Sequence, residues 1–129
     1  MAEVFGEPVG ALSDRYLEAL LGRKEFWAFA ALRDDGIAGG LTAHTLPMTR
    51  AEASEILVYD IAVHADHQRK GIGRQLVGDL RDCARSAGIH DLFVPVDNED
   101  EHALDFYRAL GGTACGVTIF TFQEREAPA

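Results

Sequence analysis

Basic charge is what this sequence is short of. Its 129 residues hold 12 lysines and arginines against 21 aspartates and glutamates, a net charge of −9 with histidine neutral. That balance argues against a nucleic-acid partner, whose phosphates demand a basic surface. Cysteine is scarce too. Cys83 falls in a helix pattern and Cys115 near a strand, which makes no disulfide framework, and both read as core residues. No apolar run reaches the roughly 18 residues of a membrane helix, so no membrane partner is expected. The N-terminus lacks the basic-then-apolar order of a secretory signal, and the expected compartment is the cytoplasm. No Gly-Lys-Ser or Gly-Lys-Thr occurs, which excludes a Walker phosphate loop. The five histidines, His44, His64, His67, His90 and His102, show no metal-ligand spacing with cysteine or carboxylate, so no metal is expected.

What is present suits one globular domain across 1–129 with a single core, without repeats or low-complexity tracts. Ser13 can cap a helix that Gly22 stops, with Tyr16, Leu17, Leu20 and Leu21 as its apolar stripe. The apolar, aromatic run 26–32 reads as a buried strand, and Asp34-Asp35-Gly36 as a hairpin turn. A return strand follows at 37–46, where Gly39 and Gly40 suggest a bulge or a close approach. After a polar loop, 55–64 is the next strand. A helix over 71–87 carries Ile72, Leu76, Leu80, Cys83 and Ala87 on one side, and Gly88 ends it. Then come a strand at 91–97, a helix at 100–110 closed by Gly111-Gly112, a strand at 117–122 and a frayed tail. The order α-β-β-β-α-β-α-β gives a mixed α/β fold, a central sheet flanked by helices.

The run Gln68-Arg69-Lys70-Gly71-Ile72-Gly73-Arg74 stands between the strand ending in Ala62-Val63 and the helix after it. A strand that ends in a glycine-punctuated basic loop and enters a helix makes an anion cradle. Glycines let the backbone approach, and the first helical N–H groups point at the ligand with the dipole behind them. The dinucleotide fingerprint G-x-G-x-x-G fails because Leu76 stands where its third glycine belongs. What fits is Q/R-x-x-G-x-G/A after a strand, which resembles the acetyl-CoA motif of the GNAT superfamily of N-acetyltransferases.

A second stretch narrows the resemblance. Asp97-Asn98-Glu99-Asp100-Glu101-His102-Ala103-Leu104-Asp105-Phe106-Tyr107 occupies the place of the superfamily's N-x-x-A-x-x-F/L-Y. Here Ala103 lies five residues past Asn98 rather than three, and the loop is acidic. With Tyr59-Asp60-Ile61-Ala62-Val63 and Phe29-Ala30-Ala31-Leu32, it is similar to the type I aminoglycoside 3-N-acetyltransferases (gentamicin acetyltransferases). The resemblance covers about 13–122 and implies the GNAT fold, acetyl-CoA as donor and a polycationic small-molecule acceptor. It departs in one respect. The family begins with a short strand and helix, but only 1–8 precede the helix at 13. A missing N-terminal strand leaves a sheet edge that a second subunit could cover, so a homodimer is expected.

The resemblance also implies roles. Gln68 to Arg74 would hold the pyrophosphate, and Ile61, Ala62 and Val63 the pantetheine arm, with Asn98, Ala103 and Tyr107 also near the coenzyme. Amine acetylation needs a base, an oxyanion donor and a proton for the leaving thiolate. Asp97, at the end of its strand, is the first candidate base, with Asp60 orienting the amine or a water. Asp60 reads as buried in an apolar strand, a costly placement without a purpose; a turn acid is the alternative for Asp97. Tyr107 is the candidate acid or simply a core tyrosine. Glu55, Asp60, Asp97, Asp100 and Glu101 would line the acceptor side, unless the acidic loop is merely solvated. Other acceptors (a polyamine, an amino sugar, a protein N-terminus) and a non-catalytic acyl-CoA-binding module remain open at this point.

Overall fold

A computed structural model describes residues 12–124. The expected absence of a first strand concerns residues outside these, as does the end of the tail. The chain divides into two compact units, Met1–Pro95 and Val96–Ala129.

The first unit opens with α1 (Asp14–Leu21), where the Ser13 hydroxyl accepts the Tyr16 N–H at 3.1 Å and Gly22 follows the last turn. Four strands follow: β1 (Phe26–Arg33), β2 (Gly36–Pro47), β3 (Ser54–Val63) and β4 (Asp91–Phe93). They lie in the order β1-β2-β3-β4, the first two pairings antiparallel and the third parallel. Gly36 takes φ +115° at the β1–β2 turn, a value open to glycine and strained for other residues. α2 (Ile72–Ser86) makes the crossover from β3 to β4.

The core lies between α2 and one face of the sheet. Ala38, Leu41, Ala43, Ile56 and Val58 meet Ile72, Leu76, Val77, Leu80 and Ala84 there. Val77 and Ala84, not Cys83 and Ala87, complete the helix's buried stripe. Leu80 marks its centre, Cys83 falls on its exposed flank, and Ala87 is already the C-cap. Gly39 is where helix and sheet come closest: a Cβ there would stand 3.0 Å from the Ala62 carbonyl and 3.1 Å from Ile72 Cγ2. A bulge falls beside it, because Ala31 pairs with Gly39 and Leu32 with Ile37. Both of the readings that the glycine pair suggested therefore hold.

Two strand expectations need correction. The strand expected over 91–97 stops at Phe93. Pro95 has no N–H to give a ladder, so pairing cannot continue through it. In the second unit, α3 (Glu101–Ala109) forms as expected, but 117–122 joins no ladder. A strand needs a neighbour, and the described residues supply none; Val117, Ile119, Phe120 and Phe122 stay exposed, Phe122 at 82%. Cys115 is exposed as well, so neither cysteine is a core residue. Among the described residues no helix is long and apolar enough to cross a membrane.

Candidate functional site

β3 outruns β4. Their ladder ends with Leu57 opposite Phe93, while β3 continues to Val63. Just past that point β3 bulges: Val58 pairs with Ala43 and Asp60 with Thr42, which leaves Tyr59 unopposed. Along Ile61, Ala62 and Val63 the backbone groups that turn away from β2 meet no strand among the described residues. An extended, amide-bearing ligand can be added there as a further strand.

The bulge also breaks the alternation of side chains. The Tyr59 ring meets the His44 ring edge-on at 5.5 Å, and the Asp60 carboxylate accepts a long hydrogen bond from the Thr42 hydroxyl at 3.4 Å. His44 and Thr42 are two apart on β2 and share a face, so Tyr59 and Asp60 share it too. His44 leans in turn on Phe26 at 5.3 Å. Asp60 is exposed, contrary to the burial expected for it, because the extra residue turns it away from the core. Tyr59, which the sequence marked only as part of the strand end and gave no role, is 65% exposed. Glu55, half-buried, opens the same strand between Leu46 and Asp91.

Beyond Val63 the chain makes a 3-10 turn, Ala65–His67, and then the glycine loop. Three bonds tie this segment to the β1–β2 hairpin and to the end of β3. The His64 N–H donates to the Ala38 carbonyl at 2.7 Å, and Gln68 Nε2 to the Val63 carbonyl at 3.2 Å. The third joins His67 Nε2 to Asp35 Oδ2 at 3.1 Å. That hydrogen bond, first of several causes, holds the Asp35 carboxyl below its usual pKa. Arg69 and Gly71 both take left-handed φ, +65° and +78°. Gly71 is the N-cap of α2, with no side chain to cap it and no acid in the first turn. The first N–H groups of α2 therefore face outward, among the exposed Arg69, Lys70 and Arg74. Gly73 is half-buried, and Ile72 is 1% exposed, so Ile72 can offer a ligand only its backbone. Donors, dipole and three cationic residues thus share one short stretch at the start of α2, as a pyrophosphate site requires.

The remaining candidates belong to the second unit. Asp97 lies past the end of β4, in a turn where its Oδ1 accepts the Glu99 N–H at 2.9 Å. The turn reading, not the strand end, describes it. Asn98 and Glu101 are exposed. Asp100 caps α3, its Oδ1 accepting the half-buried Ala103's N–H at 3.0 Å. Tyr107 is half-buried with its ring against Phe106 at 4.9 Å. Burial first, and the Asp100 charge second, raise its phenol pKa above the usual value. No group of histidine, cysteine and carboxylate able to hold a metal occurs among the described residues.

The comparisons agree with this geometry. The sequence pattern of the acetyltransferase (GNAT) family matches residues 2–111. Streptothricin acetyltransferase of Streptomyces lavendulae is 33% identical over 95 residues, 74% of this chain. The chain spans about half the length of the curated relatives it matches, 49% in that case. Among solved structures, an aminoglycoside acetyltransferase from an uncultured soil metagenomic sample, in complex with sisomicin, superposes with a TM-score of 0.85. It is 31% identical, over 97% of this chain and 83% of that one. A second aminoglycoside acetyltransferase from such a sample gives 0.87 at 33% identity, over 96% and 85%. The family's acyl donor is acetyl-CoA, whose pyrophosphate and amide-bearing arm are the groups that the loop and the open edge of β3 fit. A glycine-loop helix start, an unpaired β3 beyond a bulge and a family match across most of the sequence lead to one assignment: this chain belongs to the acetyltransferase (GNAT) family.

Proposed function

We propose that the whole chain serves as one acetyltransferase domain that moves acetyl from acetyl-CoA to an amine of an aminoglycoside, the 3-amino group, by direct transfer in a ternary complex. The observation that carries the reading is the stretch from the Tyr59–Asp60 bulge to Arg74. It joins an open strand edge, an uncapped cationic helix start and an exposed ring-and-carboxylate pair in one unit. Likeness to two aminoglycoside acetyltransferases at 31% and 33% identity supports the acceptor class.

Acetyl-CoA supplies a thioester carbonyl. The backbone groups of Ile61, Ala62 and Val63 that turn away from β2 hold the arm, and an N–H among them polarises that carbonyl. An acidic side chain, Asp97 first and Asp60 second, takes a proton from the acceptor ammonium so that its nitrogen can form the new C–N bond. Tyr107, its phenol protonated at neutral pH, gives a proton to the thiolate as the C–S bond breaks and regains one from the nitrogen as the amide forms. Asn98 and Ala103 complete the coenzyme contacts. Tyr59 presents a ring face to the apolar side of an amino sugar, while Asp60, with Glu55, Asp100 and Glu101, answers its ammonium groups. Acetylating such a drug lowers its charge, and the biological outcome is antibiotic resistance.

The exposed free thiols Cys83 and Cys115 suit the reducing cytoplasm. The apolar residues Tyr16, Leu17 and Leu21, exposed on α1, suit a homodimer. The test measures thiol release from acetyl-CoA with gentamicin, kanamycin, spermidine and buffer as parallel acceptors. Release with gentamicin, with one acetyl added to the drug's mass at the 3-amino group, is the expected result. Release with spermidine alone moves the substrate class to polyamines. Silence with every acceptor, while coenzyme still binds, replaces the enzyme by an acyl-CoA-binding module.

A further inference from the structure

The coenzyme loop is held at its far side by a contact that no part of the motif encodes. Asp35 lies in the turn between β1 and β2, and His67 lies 32 residues later in the 3-10 turn before Gln68. Their side chains meet at 3.1 Å. The His67 side chain is 13% exposed, while Asp35 remains open to water at 68%. His67 is thus the enclosed partner, fixed in place by the turn's own hydrogen bond from its N–H to the His64 carbonyl at 2.9 Å. Two residues on, Arg69 takes a left-handed φ that a side-chain-bearing residue adopts only when its surroundings impose it.

We propose that Asp35 and His67 form a tie that positions the coenzyme loop, so that the β1–β2 turn sets the affinity for acetyl-CoA without touching it. The inference rests on the loop's role as the coenzyme site. The argument is one of anchoring. The segment between Val63 and Ile72 must hold Arg69 and Gly71 left-handed for the helix N–H groups and the cations to face one ligand. Two of its anchors, His64 to Ala38 and Gln68 to Val63, lie at or fold back to the end of β3. Among the described residues it is the His67 side chain that reaches the hairpin turn, so its loss frees the middle of the segment while both ends stay attached. A ligand that needs the ordered loop then bears the ordering cost on binding, and affinity falls. The reacting atoms are not involved, so the rate at saturation is spared.

The test is a double-mutant cycle with Asp35→Ala, His67→Ala and their combination, read by calorimetric titration of coenzyme A and by steady-state transfer. Each single change is expected to weaken coenzyme A binding and raise the acetyl-CoA KM about three- to tenfold. The turnover number should stay within about twofold, and the double variant should be no weaker than either single. His67→Gln, whose amide can donate to Asp35 from a similar position, should recover most of the affinity. Faster amide hydrogen exchange over 64–71 in the Ala variants, with β2 and α2 unchanged, gives a readout independent of turnover. Unchanged affinity in both Ala variants overturns the tie. So does full additivity in the double variant, or a loss of turnover equal to the loss of affinity. If His67→Ala unfolds, Asp35→Ser at the exposed turn position breaks the contact instead and carries the same comparison, with His67→Gln as its rescue. A wild-type chain that fails to bind coenzyme A sinks the coenzyme reading itself, which differs plainly from a wild type that binds and variants that match it.

Discussion

Gly39 is required where helix and sheet meet, for a steric reason. A methyl group there would meet a backbone oxygen, the Ala62 carbonyl at 3.0 Å, and Ile72 Cγ2 at 3.1 Å. The side chain can shift, but the carbonyl is fixed within β3 beside the proposed pantetheine edge. Gly39→Ala should therefore cost about 1–3 kcal/mol, as core overpacking does, and a lowered denaturation midpoint with unchanged slope would register it. Tyr107 offers a residue whose protonation can be followed directly. Its phenol pKa is raised, first by burial and then by Asp100. A raised value means that the neutral phenol is favoured in the folded state. That stabilisation is complete below the ordinary tyrosine pKa and disappears as pH climbs through the folded value. In an alkaline absorbance titration, one phenolate of the three tyrosines should appear later than the rest, and Tyr107→Phe should remove that phase. Loss of an early phase instead would contradict the burial argument.

Helix α3 has a start with two demands on it. Asp100 caps it through the Ala103 N–H, yet its charge also belongs to the acidic loop proposed to face the acceptor. The two can be separated, because serine keeps a capping oxygen and has no charge. Asp100→Ser should leave stability close to wild type and raise the acceptor KM. Asp100→Ala should raise KM likewise and also lose about 1 kcal/mol of stability. Elements of this kind were legible in the sequence because their signals are local: Ser13, Asp100 and Gly88 mark helix ends, and Asp34-Asp35-Gly36 marks a turn. What was not legible depends on partners distant in the chain. The bulge at Tyr59 exists only through the register of β3 against β2, so the apolar run around Asp60 misassigned it to the interior. The Asp35–His67 contact spans 32 residues and has no motif. The segment 117–122 has a strand's composition, but pairing decides a strand, and composition does not supply the neighbour.

Charge organises the molecule at two ranges. The whole chain is acidic, net −9, yet three of its 12 basic residues, Arg69, Lys70 and Arg74, surround the start of α2. An anionic coenzyme is therefore repelled at a distance and attracted on contact, whereas a polycationic acceptor is attracted at every range. Salt separates the two. At physiological ionic strength the screening length is about 8 Å, so added salt removes long-range terms first and contact terms last. For a gentamicin-like acceptor, raising salt should lower kcat/KM by up to about tenfold, through KM, because steering and acidic-loop contacts both weaken. For acetyl-CoA the long-range repulsion and the short-range attraction are screened together and oppose one another. Its KM should change less across the same series, and Lys70→Gln should turn that shallow response into a fall of KM with salt. The measurement is a pair of KM series from low to high potassium chloride, one per substrate, for wild type and Lys70→Gln. An acceptor KM flat in salt would mean that the acidic surface serves solubility alone, and it would take the charge argument for a polycationic substrate with it.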